Sequence, residues 1–398
     1  VAQNKISIGI DIGSAQIKIA VVEFSYEGDK QGGKRVPKIL GTGLAPSRGV
    51  RRGYIEDTEE LSEALALAIR NAEKSSGIKI KHAEISVGDT GLSSFISTGF
   101  TMVGRADMEI NDLDINKATE NSEETVPKSF TQNKRVLHRI PVASKIDGKV
   151  VFDGKPIGMK GSKLEIKNLF VTCLEPHLTH TVKALEANNV EIEDVIASPI
   201  AGSLACLSKT QKMTGCILVN IGAGTTSLIV YEDNLPISLE VIPFGGNDIT
   251  NDIALGLKIS IEEAEAIKVG AQTFTNISKK KLDEIIDARL SDIFELVETH
   301  LKKISRNAML PAGIFLTGGG AKLAGIDVFA RDFLKLPAKV VSIPTGQVGK
   351  VAEPIWSVAY GLCLAGTSNN GVEGLSSGSN GFFIAKNKVF TWLKQFLP

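Results

Sequence analysis

The 398-residue chain lacks most of the marks of a secreted, membrane-spanning or nucleic-acid-binding protein. Its four cysteines (Cys173, Cys206, Cys216, Cys363) lie far apart and form no CxxC pair. Each sits in an apolar stretch, so buried thiols in a reducing cytoplasm are expected, not disulfides or a zinc set. His177 and His180 are spaced HxxH with no evident third ligand on their face, so no metal is expected there. No run of about 18 apolar residues is present to span a bilayer. The first ten residues, VAQNKISIGI, show no basic-then-apolar signal peptide. Neither sign of charge is in excess, with 45 Lys+Arg against 45 Asp+Glu, which argues against a nucleic-acid partner. No GxxxxGK[ST] occurs, which excludes a P-loop site. Proline is scarce, 14 against 39 glycines, a balance suited to tight turns more than to low-complexity disorder.

What is present reads as an α/β chain. Residues 5–24 form a hairpin, ISIGI and QIKIAVVEF around the Gly-bearing turn DIGSA. Residues 39–45 and 50–56 are expected to extend its sheet. A helix follows Thr58-Glu59-Glu60, with an acidic first turn and a stop at Gly77. Residues 89–163 change texture, alternating short strands and turns with a polar helix near 111–126, as an inserted subdomain would. Strand 164–173, helix 176–188 and strand 195–197 resume the larger pattern. A second hairpin occupies 215–244, helices follow near 245–256, 260–270 and 282–307, and 313–344 reads as a βαβ-like unit. Helix 353–367 is apolar enough to be buried.

An internal repeat carries the main clue. Shifted by 209 residues, Asp11-Ile12-Gly13 falls on Asn220-Ile221-Gly222, Ile10 on Val219, Ile19 on Leu228 and Val21 on Val230. Two matching strand–turn–strand units indicate a duplicated domain. Glycine in such turns lets successive backbone N–H groups converge on phosphate oxygens. Ser14, Thr225 and Thr226 add hydroxyl donors, and Asp11 at a strand end can hold a hydrated Mg²⁺. Two such loops would clamp a triphosphate between lobes. LTGGGAKLAGI (316–326) lets a flat ring approach the backbone, and Glu265 and Lys268 share one helical face. Alone, these last two features would be a tight turn and a surface ion pair.

Together these pieces resemble the actin/sugar-kinase/heat-shock-chaperone ATPase superfamily, and within it the FtsA family of bacterial cell-division proteins. GTGLAPSRGVRRGYIED (41–57), LHRIPVASKIDG (137–148), PIGMKGSKLEI (156–166), GGNDITNDIA (245–254) and IIDARLSDIFELV (285–297) carry the closer likeness. The resemblance implies an actin-like two-lobe fold of duplicated ribonuclease-H-like domains with an inserted subdomain. Its subdomains would be IA (1–85, with 164–198 and part of 345–365), IC (86–163), IIA (199–243, with 306–345) and IIB (244–305). It implies ATP and Mg²⁺ as cofactors, with Asp11, Gly13 and Ser14 in the first phosphate loop and Gly222, Gly224, Thr225 and Thr226 in the second. Glu265 and Lys268 would contact ribose and adenine, and Gly318, Gly319 and Gly320 would form the adenosine motif. It also implies head-to-tail self-assembly and attachment to the cytoplasmic face of the inner membrane at the division septum. Its implied partners are the tubulin-like protein FtsZ, through the FtsZ C-terminal tail, and later division proteins. Arg289 falls where the family's IIB helix meets that tail or the next subunit.

One departure bears on activity. The family's second loop ordinarily reads DIGGGTTD; here it reads NIGAGTTS, with Asn220 and Ser227 in place of acids. No residue is therefore assigned as catalytic, and hydrolysis is expected to be weak. A small-molecule kinase on the same fold would need a base that Asn220 does not supply. A pilus-assembly scaffold would share the phosphate loops, but the GMKG segment (158–161) of the insert and the expected terminal helix weigh against it.

That end is distinctive. Residues 366–381 are a Gly/Ser/Asn-rich linker. From 382 to 398 an amphipathic helix is expected, with Phe382, Phe383, Val389, Trp392, Leu393 and Phe396 as its membrane-facing residues. Lys386 and Lys394 would meet anionic headgroups. The last 24 residues hold three lysines and no acid, leaving 42 basic against 45 acidic side chains in the rest. The overall neutrality conceals a mildly acidic body and a cationic foot.

Overall fold

The computed structural model describes residues 5–27, 34–151, 156–271, 278–343 and 353–367. The first sheet opens with an antiparallel meander of β1 (Lys5–Ile12), β2 (Gln16–Glu27) and β3 (Lys34–Pro46). β2 is covered on both faces: Ile17, Ile19 and Val21 enter the main core, while Ala20, Val22 and Phe24 enter a second cluster. That double covering explains its nearly unbroken apolar run. The expected extension of the sheet by residues 50–56 does not occur. β4 (Val50–Arg51) and β5 (Tyr54–Ile55) pair only with each other, because Arg52 (φ 49°) and Gly53 (φ 74°) turn the chain straight back.

Helix α1 (Thr58–Ser76) begins where the Asp57 carboxylate accepts the Glu59 and Glu60 amides at 2.9 and 3.0 Å, and it ends at left-handed Gly77. Its Leu61, Leu65, Ala68 and Ala72 stripe covers the sheet. β6 (His82–Val87) runs parallel to β1.

The chain then leaves for the inserted segment: β7 (Ser93–Met102), α2 (Asp112–Glu124), α3 (Lys128–Thr131), β8 (Lys134–Ile146), β9 (Lys149–Val150) and β10 (Lys163–Leu174). Strand 164–173, expected to belong with the first lobe, pairs along its length with β7 and β8 instead. At 12 residues it serves two cores. Leu164 and Ile166 join Ile110, Ile115 and Ala118 inside the insert, while Leu169, Val171 and Cys173 reach the main core.

After α4 (Glu175–Glu186), β11 (Glu191–Ala197) pairs parallel with β6, completing the order β11-β6-β1-β2-β3. Helices α5 (Ser198–Cys206) and α6 (Lys209–Thr214) lead to a second meander, β12 (Cys216–Ile221), β13 (Thr226–Glu232) and β14 (Leu235–Ile242). Three helices follow, α7 (Gly246–Leu257), α8 (Ile261–Lys268) and α9 (Lys279–Lys303). Then β15 (Gly313–Thr317), α10 (Ile326–Leu334) and β16 (Ala338–Val340) add two parallel strands beside β12. The order β14-β13-β12-β15-β16 repeats that of the first sheet, three antiparallel strands and then two parallel ones. The insert joins this second sheet through a pairing of Ser93 with Glu240. Helix α11 (Ser357–Thr367) packs against α5 and β1 at the centre. The fold is α/β, with two like halves and an insertion. The expected linker and terminal helix, beyond Thr367, lie outside the described residues. Among the described residues, no helix is long and apolar enough to cross a membrane.

Candidate functional site

The 209-residue repeat is a repeat of register as well as of sequence. Asp11 pairs with Lys18 and Ile12 with Ile17 across the first turn; Asn220 pairs with Ser227 and Ile221 with Thr226 across the second. Each turn is closed by the same bond: the Gly13 N–H donates to the Gln16 carbonyl (3.2 Å), and the Gly222 N–H to the Thr225 carbonyl (2.8 Å). The two turns face one another. A Cβ at Gly224 would lie 2.9 Å from the Ser14 hydroxyl.

Between them lies a cleft of about 150 Å³ whose walls include Asp11, Gly13, Ser14, Lys18, Asn220, Gly222, Thr225, Gly318 and Gly319. Asp11, almost buried at the end of β1, accepts from the Lys18 ammonium (2.8 Å) and the Ser86 hydroxyl (3.0 Å). Lys18 escaped the sequence reading. The signal was available, since a turn at 13–15 sets residue 18 opposite residue 11. Ser86 and Ser198 also line the cleft without a sequence pattern that marks them.

The other expected residues sort by distance from this centre. Thr226 is fully buried and its hydroxyl donates to the Phe244 carbonyl at 2.9 Å, so it braces the loop instead of facing the cleft. Gly318 (φ 87°) lets β15 pass the second turn; a Cβ there would meet the Asn220 amide oxygen at 2.3 Å. Gly320 packs against Ile221, outside the cleft wall. Glu265 and Lys268 pair at 2.6 Å one layer behind the loop, and Lys268 also donates to the Gly246 carbonyl at 2.9 Å. Burial works to raise the Glu265 pKa, but the Lys268 and Thr250 hydrogen bonds outweigh it and hold the carboxyl below its usual range. The Gly246 N–H in turn donates to the Gly222 carbonyl (2.9 Å), which ties the α8 pair to the second turn.

Arg289, expected where the tail of a partner or the next subunit makes contact, already holds acids within its own chain. Its guanidinium forms a two-pronged contact with Asp252 (2.6 and 3.1 Å), a further one with Asp292 (3.2 Å), and lies over the Phe244 ring. It therefore fastens α9 to α7, with a donor of each guanidinium nitrogen directed at an acid. The expected membrane-facing residues Phe382, Phe383, Lys386, Val389, Trp392, Leu393, Lys394 and Phe396 lie outside the described residues.

The site chemistry is that of an oxyanion cradle: two glycine turns, one lysine, one carboxylate and several hydroxyls. The fold recurs in solved structures. The PilM-PilN type IV pilus biogenesis complex matches with a TM-score of 0.63 at 17% identity, over 90% of this chain and 98% of that one. MreB5 of Spiroplasma citri bound to ADP matches with a TM-score of 0.51 at 14% identity, over 92% and 97%. A cell division protein FtsA from Pseudomonas aeruginosa is 27% identical over 96% of this chain and 94% of its own length. Two family models match, "Cell division protein FtsA" over residues 217–361 and "SHS2 domain inserted in FTSA" over 90–172. Together they span more than half of the sequence, one on the second lobe and one on the insert, and the chain belongs to the FtsA family of cell-division proteins.

Proposed function

We propose that this chain is an ATP-binding actin-like protein that assembles head to tail on the inner face of the membrane. There it would hold the C-terminal tail of FtsZ and recruit later division proteins. The observation carrying this reading is the pair of glycine turns, closed by the same hydrogen bond and facing each other across one cleft, in a chain of this family. Glycines whose Cβ would crowd Gln16, Thr225 or Ser14 let the turns close tightly, and the turn N–H groups not used in that closure would meet phosphate oxygens. Lys18 supplies a cation beside them. Asp11 would take Mg²⁺ through water, the magnesium being held mainly by the nucleotide's own phosphates. Bound magnesium would neutralise phosphate charge.

Weak hydrolysis follows from the second turn. Asn220 has no carboxylate with which to orient an attacking water, while phosphate binding through backbone N–H groups is unaffected. The likeness to the PilM-PilN complex favours a pilus-assembly scaffold as the second reading, but the match of the insert to the FtsA-specific model supports division. Calorimetric titration of the full chain with ATP should show saturable binding that needs magnesium, with slow phosphate release. A folded chain that binds no nucleotide would overturn the reading, and rapid phosphate release would overturn its enzymatic part.

A further inference from the structure

The ribbon of β4 and β5 comes from a segment expected to lengthen the first sheet, yet its turn sits in the cleft between the two lobes. Both turn residues, Arg52 and Gly53, adopt positive φ, the geometry of a tight hairpin turn. Gly53 forms part of the cleft wall, and its N–H donates to the Ser14 hydroxyl at 2.8 Å. A Cβ at Gly224 would lie 3.1 Å from the Arg52 Cα. The first-lobe ribbon thus touches both glycine turns at once, and Arg52 stands directly above the second.

The Arg52 side chain is weakly held. It is half-exposed, and among the described residues its only polar partner is Asp248, at 3.6 Å, beyond hydrogen-bond distance. Asp248 has a structural duty of its own, accepting from the Gly245 N–H at 2.8 Å at the start of α7. An arginine with uncommitted donors, on a rigid turn, within a side chain's length of a phosphate cradle, suits two-pronged capture of a phosphate group. Its neighbour Arg51 points elsewhere: it is mostly exposed and approaches Glu56 at 3.9 Å.

We propose that Arg52 is a phosphate clamp, exchanging its loose contact with Asp248 for the terminal phosphate of a nucleoside triphosphate held by the two turns. The clamp rests on the nucleotide reading above and adds discrimination to it. A diphosphate lacks the group that Arg52 would grip, so losing Arg52 penalises triphosphate binding selectively.

The test uses the full chain and calorimetric affinities for Mg²⁺ with ATPγS and with ADP, alongside thermal melts to establish folding. Arg52→Ala should weaken ATPγS binding at least tenfold while leaving ADP within twofold. Arg52→Lys, which keeps the charge but not the fork, should recover part of the loss. Arg51→Ala should change neither affinity. Equal effects of Arg52→Ala on both nucleotides, no effect on either, or an equal selective loss in Arg51→Ala would overturn the clamp and leave nucleotide binding standing. A wild-type chain that binds neither nucleotide would remove the nucleotide reading and the clamp with it.

Discussion

Glu84 on β6 is 1% exposed, and one carboxyl oxygen accepts from the Ser7 hydroxyl at 3.2 Å. The other oxygen has no hydrogen-bond partner among the described residues and lies against Gly366, where a Cβ would come within 1.8 Å. Burial pushes this carboxyl from 4.5 up to about 8, and the neighbouring Glu193 carboxylate adds to the push. The folded state therefore holds a proton that the unfolded chain has released. Stability must fall as pH rises between those two values, by at most about 1.4 kcal/mol per pH unit, and level off above the upper one. Glu84→Gln should remove that slope, so its advantage over wild type in urea denaturation grows from pH 5.5 to 8. A stability difference constant across that range would show that Glu84 ionises normally. At this scale the sequence was legible where register decides position. The repeat pointed to two glycine turns facing each other, and the same register held a signal for Lys18 that the sequence reading missed. It was illegible where a side chain could face either way. Thr226 differs from Thr225 in burial, and Arg289 from a solvent-facing arginine in its two acidic neighbours, and neither distinction leaves a mark in the local sequence.

Among the elements, helix α11 shows how small residues permit close packing. A Cβ at Gly361 would lie 1.8 Å from the Ala201 carbonyl of α5, and one at Gly9 would lie 2.2 Å from the Ala359 carbonyl of α11. The helix is pressed between α5 and β1 with no room for a methyl group on either side. Gly361→Ala should gain helix propensity yet lose more to the clash, a net cost of about 1–3 kcal/mol. Denaturant unfolding should show a lower midpoint with an unchanged slope, and an unaltered midpoint would mean the helices part freely. Helix α1 was readable from its acidic first turn, apolar stripe and Gly77 stop, α2 from its Asn, Asp and Glu content, and α11 from its apolar composition. Two sets of strand pairings were not readable. Residues 50–56 have strand composition, but two positive-φ residues turn them into a separate ribbon. Residues 164–173 form the expected strand, but their pairing with β7 and β8 was not legible, because pairing across an insertion is a long-range choice that composition does not encode.

At the scale of the whole molecule, the duplicated sheets place two equivalent turns on opposite walls of one cleft, and the insert extends the second sheet away from it. Duplication was legible because both copies kept their glycines in step. The chain's uneven charge bears on the proposed membrane attachment. The body through residue 374 carries a small acidic excess, which a membrane rich in anionic lipid repels weakly, so on the proposed reading adhesion would come from the terminal segment. Lys386, Lys388 and Lys394 contribute about 1 kcal/mol each near such a surface. The sequence also supplies Val389, Trp392, Leu393 and Phe396 as apolar side chains that a membrane-bound terminal segment would insert. Neither contribution suffices alone, since apolar insertion of so short a segment is marginal and the electrostatic part is screened by salt. Sedimentation of the full chain with phosphatidylglycerol vesicles should therefore be strong at low salt and weaker at high salt. It should be lost in the double variant Trp392→Glu, Phe396→Glu. If the double variant still pellets with the vesicles, the contact lies on the body and the terminal segment is not the foot.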